Sequence, residues 1–506
     1  MFSEPHPANP AGHKYNWPSA DPYLWAVFAI GIVAAFLRLN GLGSDSIWED
    51  EAATWMESRG TFAHLIISTA HNNYPPLYNI LVWICIRIFG DAEWSLRLPS
   101  ALLGTGNVIA IYWVGTLCGG RLVGIFSAVL LCLSGFHIAY SQEARMYALL
   151  ACTATLFGGT LLRLARTPSI KWTVLSTLAG VGLLYSHLYG ALTWAVIAFG
   201  FGALLFLEHP GWALSLSRFL RLQTFTFALF LPWALILLHR ALLISDKGIW
   251  IPEITGYRIV QILTDVSSGA PTLCILLAGL LFAYWPQKRL LGGRDTGDIP
   301  EPDSAPEART RTLWLLSLWA AGPLAAGIAA SLLIVPILIP RYLFGSVPAI
   351  LILASIGFAR PVAGRKTLAA AVAVVLIAGF TGTALGGRSS HRPDWRGVGR
   401  LMEAQLDRDD CVVIYPAAFR VFAYYYRREL PCLVRVKPRS AEKIESTLFA
   451  SDRVFIIFHD RDREADKMIE ALSRTRDEKK VFRFKRVRVA RLARGKLGNS
   501  PRLPNA

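Results

Sequence analysis

Apolar stretches of about 20 residues recur from Tyr23 to Gly386, and a helix of that length is as long as the hydrocarbon core of a bilayer is thick. No other feature limits the fold of this chain so severely. Eleven stretches read as spans: 23–40, 97–118, 122–139, 146–164, 172–188, 190–207, 223–239, 271–286, 313–335, 341–359 and 367–386. Only 17% of the residues are charged, against roughly 25% in a soluble domain, so a soluble fold is excluded. The first span follows a polar segment, 1–22, and lacks a small-residue cleavage site, so it reads as retained rather than as a removed signal peptide.

Segment 76–90, PLYNILVWICIRIFG, is apolar but short and carries Arg87. Charge places it in the interface. With 76–90 in the plane, Arg121, then Arg163, Arg166 and Lys171, then Arg218 and Arg221 fall on one side, with the 287–312 loop, Arg360, Arg365 and Lys366. The positive-inside rule makes that side the cytoplasm; a crossing at 76–90 would reverse the bias. The 287–312 loop, rich in Pro, Gly and Asp, reads as disordered. The outer face then collects 41–75, 140–146, the 186–190 junction, 240–270, the 336–341 junction and everything after Gly387. The net charge of +17 is explained by basic loops facing anionic headgroups, and no nucleic-acid motif accompanies it.

The tail from Arg388 changes character. DCVVIYP, LPCLVRV and RVFIIFHD read as short buried strands, AFRVFAYYYRR, AEKIESTLFAS and READKMIEALS as helices, and KKVFRFKRVRVARL as a final basic edge strand. That alternation predicts a small parallel α/β domain. The expected architecture is a polytopic α-helical membrane protein of about eleven spans, with surface helices in its first outer loop. Its parts are a cytoplasmic segment 1–22, a transmembrane unit 23–386 and an outer α/β domain 387–506. Neighbouring parallel strands would bring Cys411 and Cys432 within disulfide range, in a compartment that allows the bond; two buried thiols are the other reading. The remaining cysteines have no metal-like spacing.

Three polar clusters can carry chemistry. Glu49, Asp50 and Glu51 in SIWEDEAAT follow the first span and Trp48. Acids are common at helix starts, but partial burial at a membrane surface raises a carboxylate's pKa and suits it to act as a base. In YSQEARMY, Tyr140, Gln142, Glu143 and Arg145 join two spans with almost no loop, so Arg145 is held rigidly and can bind a phosphate oxygen. Arg341, beside Tyr342, opens a span at the same face; it either snorkels to headgroups or holds a phosphate. His187 and Tyr189 are weaker contacts, as are His71, Asn72, Asn73 and Tyr74 before the Pro75–Pro76 turn. The span interiors hold essentially no Asp or Glu, unlike those of ion-coupled transporters.

SIWEDEAAT, YPPLYNILVWICIRIFGDAEWSLRLPSALLG, FHIAYSQEARMYALL and PRYLFGSVPA together resemble the bacterial branch of the protein O-mannosyltransferase-like superfamily, GT-C glycosyltransferases that include relatives of the enzyme adding aminoarabinose to lipid A. The likeness covers roughly the first 360 residues, and the tail from His391, HRPDWRGVG, looks like the outer domain of many members. The resemblance implies a GT-C fold in the bacterial inner membrane and a polyprenyl-phosphate-linked sugar as donor. It implies catalysis at the periplasmic face, with Asp50 in the catalytic position and Glu51 beside it. Arg145 and Arg341 are then the cations for the leaving phosphate. Many members carry His or Lys where this chain has Tyr74, so that contact does not carry over, and His71 is the substitute considered. A lipid or glycan acceptor is expected, with protein O-glycosylation or flipping of a lipid-linked glycan as alternatives. No cofactor is required; a divalent metal is compatible with the residues.

Overall fold

The computed structural model describes residues 21–72, 74–207, 213–243, 251–285, 306–361, 366–386, 392–414, 416–430, 432–435, 451–459, 463–474, 476 and 478–494. Asn73, nearly all of segment 1–22, most of the 287–312 loop, the helix expected at AEKIESTLFAS and the end of the tail lie outside them.

Over the described residues each of the eleven apolar stretches lies mainly on helix. Among the described residues six helices are long and apolar enough to cross a bilayer: α1 (Pro22–Leu39), α5 (Glu93–Leu133), α7 (Tyr147–Arg166), α9 (Leu188–Phe206), α10 (Leu216–Leu243) and α13 (Pro306–Leu333). Helix α5 holds the stretch 97–118 and most of the stretch 122–139. They part at Gly119–Gly120, where Gly120 has φ 84, a left-handed conformation that costs glycine nothing. Helices α11 (Gly256–Val266) and α12 (Ala270–Tyr284) form a pair bent by 87°. Three apolar helices are shorter or apolar over less length: α8 (Ile170–Leu184), α14 (Val347–Ala359) and α15 (Lys366–Gly386). The chain is thus a multi-pass membrane protein.

Helix α7 is the central post. Nearly all of its residues are buried, whereas α1 and α10 leave wide apolar faces open, as lipid-facing helices do. Packing between spans relies on small residues, because lipid removes most of the hydrophobic drive for association. At the α12–α14 crossing a Cβ on Gly357 would lie 1.8 Å from the Gly279 carbonyl oxygen. At the end of the bundle that carries the basic connectors, Arg166 donates to the Leu117 carbonyl, and Arg360 to those of Phe282, Ala283 and Trp285. These are helix C-termini, where carbonyls lack partners and cations are favoured.

At the opposite end the first loop folds into α2 (Glu49–Ser58), α3 (Phe62–Ala70) and α4 (Leu77–Phe89). Helix α4 is the ambiguous 76–90 segment. At 13 residues it is roughly 20 Å long, well short of a bilayer core, and it packs on α2, α3 and α5. The short helix α6 (Gly135–Ser141) and a 3-10 turn, Pro340–Gly345, complete this end. Two reciprocal caps lock α1 to it. Arg38 donates to the carbonyls of Leu131 and Cys132 at the end of α5, and the Gln142 amide donates to those of Leu37, Arg38 and Asn40 at the end of α1.

The tail carries α16 (Trp395–Gln405), β1 (Cys411–Ile414), α17 (Pro416–Tyr425), β2 (Cys432–Arg435), β3 (Arg453–His459), α18 (Arg463–Ser473), β4 (Glu478–Phe484) and β5 (Val487–Ala493). The sheet order is β2-β1-β3-β5-β4. Strands β1, β2 and β3 are parallel as expected, but KKVFRFKRVRVARL is two strands, not one. It turns at Lys485–Arg486, with Arg486 at φ 60, and β5 runs antiparallel against buried β3. The sheet is therefore mixed. A turn without Gly, Asn or Asp gives no ordinary hairpin signal, and the pattern of the run hid the break. Cys411 and Cys432 are register partners, 4.6 Å apart at Cα, and form a disulfide.

Candidate functional site

Helix α2 begins at Glu49 with Trp48 as N-cap, so the three acids occupy its first turn, where the helix dipole favours them. They point in three directions. Glu51 is fully buried and takes both Nε and Nη2 of Arg97 (2.7 and 2.8 Å), the Ala144 amide (2.8 Å) and Arg392 (3.4 Å). Burial alone would raise its pKa; Arg392 and Arg97 outweigh it and bring it down to about 2. Every direction around this carboxylate is taken, so it anchors α2 to α5 and to the 142–146 turn and offers nothing to a sugar. Glu49 pairs with His459 at the end of β3 (3.1 Å). Asp50 alone faces the open side, with 34% of its side chain exposed and Arg341 Nη2 3.7 Å from Oδ2.

Two arginines converge on Asp50. Arg145 donates to the Asp50 carbonyl (3.3 Å) and to Thr54 Oγ1 (3.2 Å), and its guanidinium lies 5.1 Å over the Tyr74 ring. Arg341 stands over Trp48 and Tyr147 at 5.8 and 5.9 Å. Cations seated on aromatic faces are held in place electrostatically, and a planar guanidinium matches the geometry of phosphate oxygens.

Tyr74, the departure from the family pattern, thus faces the site as a platform. Its hydroxyl donates to Glu57 (2.8 Å), which also takes the Asn79 amide (2.7 Å) and that of Asn72. Burial raises the Glu57 pKa despite these bonds and Arg145. Glu57 escaped the sequence reading, although Asp50, Thr54 and Glu57 share one helical face at i, i+4 and i+7. His71 does not replace the missing basic residue. It ends α3 exposed, with Nδ1 2.7 Å from the Ile67 carbonyl and its own carbonyl bound by Arg240.

Glu143 sits in a tight turn closed by the Arg145 amide on the Glu143 carbonyl (2.8 Å). Its Oε1 is 3.6 Å from Arg392, and its buried Oε2 has no partner among the described residues. Burial drives its pKa up, and Arg392, shared with Glu51, does not offset it; the result is about 7. Between about pH 4.5 and 7 the folded chain holds a proton here that the unfolded chain has released, so stability falls as pH rises. Glu143→Gln is therefore expected to raise the thermal midpoint at about pH 8 and to leave it nearly unchanged at about pH 5; equal effects at both pH values contradict this assignment.

Arg392 also escaped the sequence reading, because its motif spoke only for the outer domain. It enters the site between Glu51 and Glu143 and donates to the Gln142 carbonyl. Other contacts hold the tail domain on the loop before α5: Arg396 to Glu93 (2.7 Å), Tyr425 to the Ile47 amide (2.8 Å) and Arg427 to Asp91 (2.9 Å).

The weaker candidates divide. His187 is buried 4.8 Å from the Tyr342 ring; burial, then Arg145 and Arg341, lower its pKa to about 3, and its Nδ1 caps the Tyr189 amide. Tyr140 stacks edge-on with Tyr147 at 5.1 Å. Tyr189 is tied to the Ile337 carbonyl and packs on Tyr342. Gln142 serves as the α1 cap. Among the described residues no group of three or more His, Cys, Asp or Glu is arranged to hold a metal ion.

The apo structure of ArnT from Cupriavidus metallidurans superposes with a TM-score of 0.62, at 13% identity, over 93% of this chain and 98% of that one. The chain has the GT-C fold. The same protein bound to undecaprenyl phosphate matches at a TM-score of 0.60 and 13% identity, over 95% of this chain and all of that one. An archaeal oligosaccharyltransferase, AglB from Archaeoglobus fulgidus, in complex with an inhibitory peptide and a dolichol-phosphate, matches at 0.55 and 11% identity, over 87% of this chain and 70% of its own. Residues 73–236 match the family described as dolichyl-phosphate-mannose-protein mannosyltransferase. A putative mannosyltransferase, YycA of Bacillus subtilis (strain 168), is 28% identical over 112 residues; the match spans 22% of this chain and 16% of that relative. The family likeness is thereby borne out over residues 73–236, which hold two of the four motifs.

Proposed function

We propose that this GT-C protein is an inverting glycosyltransferase that moves a sugar from a polyprenyl-phosphate carrier to a hydroxyl of a lipid or glycan, at the periplasmic face of the bacterial inner membrane. The observation that carries the reading is the convergence of one open carboxylate, Asp50, with Arg145 and Arg341 at the end of the bundle away from the basic loops. Asp50 takes the acceptor proton as that oxygen attacks the anomeric carbon. The carrier phosphate departs on the opposite side, and the arginines balance its charge. Glu51 positions Asp50 through α2. The Cys411–Cys432 disulfide supports an oxidising compartment for the tail, in line with the basic connectors at the other end. No metal is needed where a single phosphate leaves between two cations, and loss of divalent ions should be tolerated.

The arginine assignment is tested by undecaprenyl phosphate binding to the protein in nanodiscs. A hydrogen bond to a charged group contributes about 1.5–3 kcal/mol, so Arg145→Gln and Arg341→Gln should each weaken binding at least about ten-fold. Unchanged affinity in both removes the phosphate site from this position. A flippase would instead move lipid-linked glycan between leaflets of sealed vesicles without releasing polyprenyl phosphate.

A further inference from the structure

Away from the acidic end, α8 and α10 enclose a groove that the glycosyl-transfer reading leaves unused. The two helices touch near their outer ends, where Leu184 packs with Phe230 and Trp233 and a Cβ on Gly180 would meet Thr226 at 2.9 Å. Towards their first turns they splay, leaving an open space of about 840 Å3 floored by Leu164 and Leu222. Its walls are apolar, with Val174, Leu178, Phe225 and Leu229, while Arg218 and Arg221 stand at its mouth. No acid lines it among the described residues.

We infer that this groove is a binding site for an anionic phospholipid, one acyl chain lying between α8 and α10 and the phosphate held by Arg218 and Arg221. The dimensions agree. Ser169 to Leu178 on α8 is roughly 14 Å of helix, close to half of a hydrocarbon core of about 30 Å, so the groove is one leaflet deep. Arg218 and Arg221 are three residues apart and share a face of α10. Both helices begin at this end, so their positive termini add to the arginines. A zwitterionic lipid would fill the same space but leave the arginines without a net counter-charge.

The test is lipid retention by the full chain, purified in mild detergent from bilayers of equal phosphatidylglycerol and phosphatidylcholine and counted by mass spectrometry. Each basic residue near an anionic surface contributes about 1 kcal/mol, so two predict a preference for phosphatidylglycerol of roughly ten- to thirty-fold. Arg218→Gln with Arg221→Gln, both exposed positions, should abolish the preference without moving the thermal midpoint. Val174→Trp, which fills the groove, should lose the retained lipid. Equal retention by wild type and the double arginine variant overturns the site. Displacement of phosphatidylglycerol by undecaprenyl phosphate overturns its assignment to a phospholipid.

Discussion

Asp50→Asn should lower turnover about 100- to 10,000-fold, the range over which a positioned general base contributes, and leave donor affinity within about two-fold. The substitution removes the basic oxygen while keeping size and most hydrogen bonding. Arg341 lies 3.7 Å from Asp50 and loses an ion partner, so donor phosphate binding should hold or tighten slightly. Turnover and donor binding therefore separate, and a structural role for Asp50 would depress both. Equal turnover in the variant would move the base to another carboxylate. Glu143 is then the candidate, because its Oε2 is buried without a partner among the described residues. Glu51 is not, because Arg97, Arg392 and the Ala144 amide occupy it.

Arg97→Leu should destabilise the protein by about 3–5 kcal/mol, the usual cost of leaving one member of a buried ion pair alone. Glu51 is fully buried, and Arg97 also satisfies the carbonyls of Leu42, Asp45 and Ser46. Arg392 at 3.4 Å remains, which favours the lower end of that range. Arg97→Leu with Glu51→Leu should recover part of the loss, because no charge is then stranded. The pair also sets a pH dependence. The Glu51 carboxyl is held down to about 2 from an ordinary 4.5, so its contribution is present above about pH 4.5 and lost as pH falls towards 2. Thermal midpoints of the two variants and wild type across that range measure it. A double variant less stable than the single one would contradict the stranded-charge reading and show that Glu51 still stabilises the fold through Arg392 and the Ala144 amide.

The apolar runs made the bundle legible, because bilayer thickness sets their length whatever their neighbours. The acids and arginines were legible because charge near a membrane needs a reason, and four motifs fixed their order. Individual roles were less so. Glu51 and Asp50 are adjacent in sequence, yet successive helical positions diverge by about 100°, so one faces Arg97 and the other the open site. Glu57 lay one further turn along the Asp50 face and passed as an ordinary helical acid. Arg392 acts across 250 residues on the Gln142 carbonyl, and no local pattern announces such a contact. His71 looked closer to the site than Tyr74 only by residue type; the chain turns His71 outward and puts the Tyr74 ring beneath Arg145. In the tail, the three parallel strands were read correctly; the last run's two strands and their antiparallel pairing were not, because Lys485–Arg486 makes a turn without turn residues.

The assignment of Asp50, Arg145 and Arg341 to glycosyl transfer is tested most directly by sugar transfer by the purified chain in lipid, given a polyprenyl-phosphate sugar and extracted envelope lipids. Polyprenyl phosphate should be released one for one with sugar appearing on an acceptor hydroxyl, its anomeric configuration inverted. Release with retained configuration would contradict single displacement at Asp50. Glycan crossing the bilayer with no bond broken would contradict the enzyme reading itself.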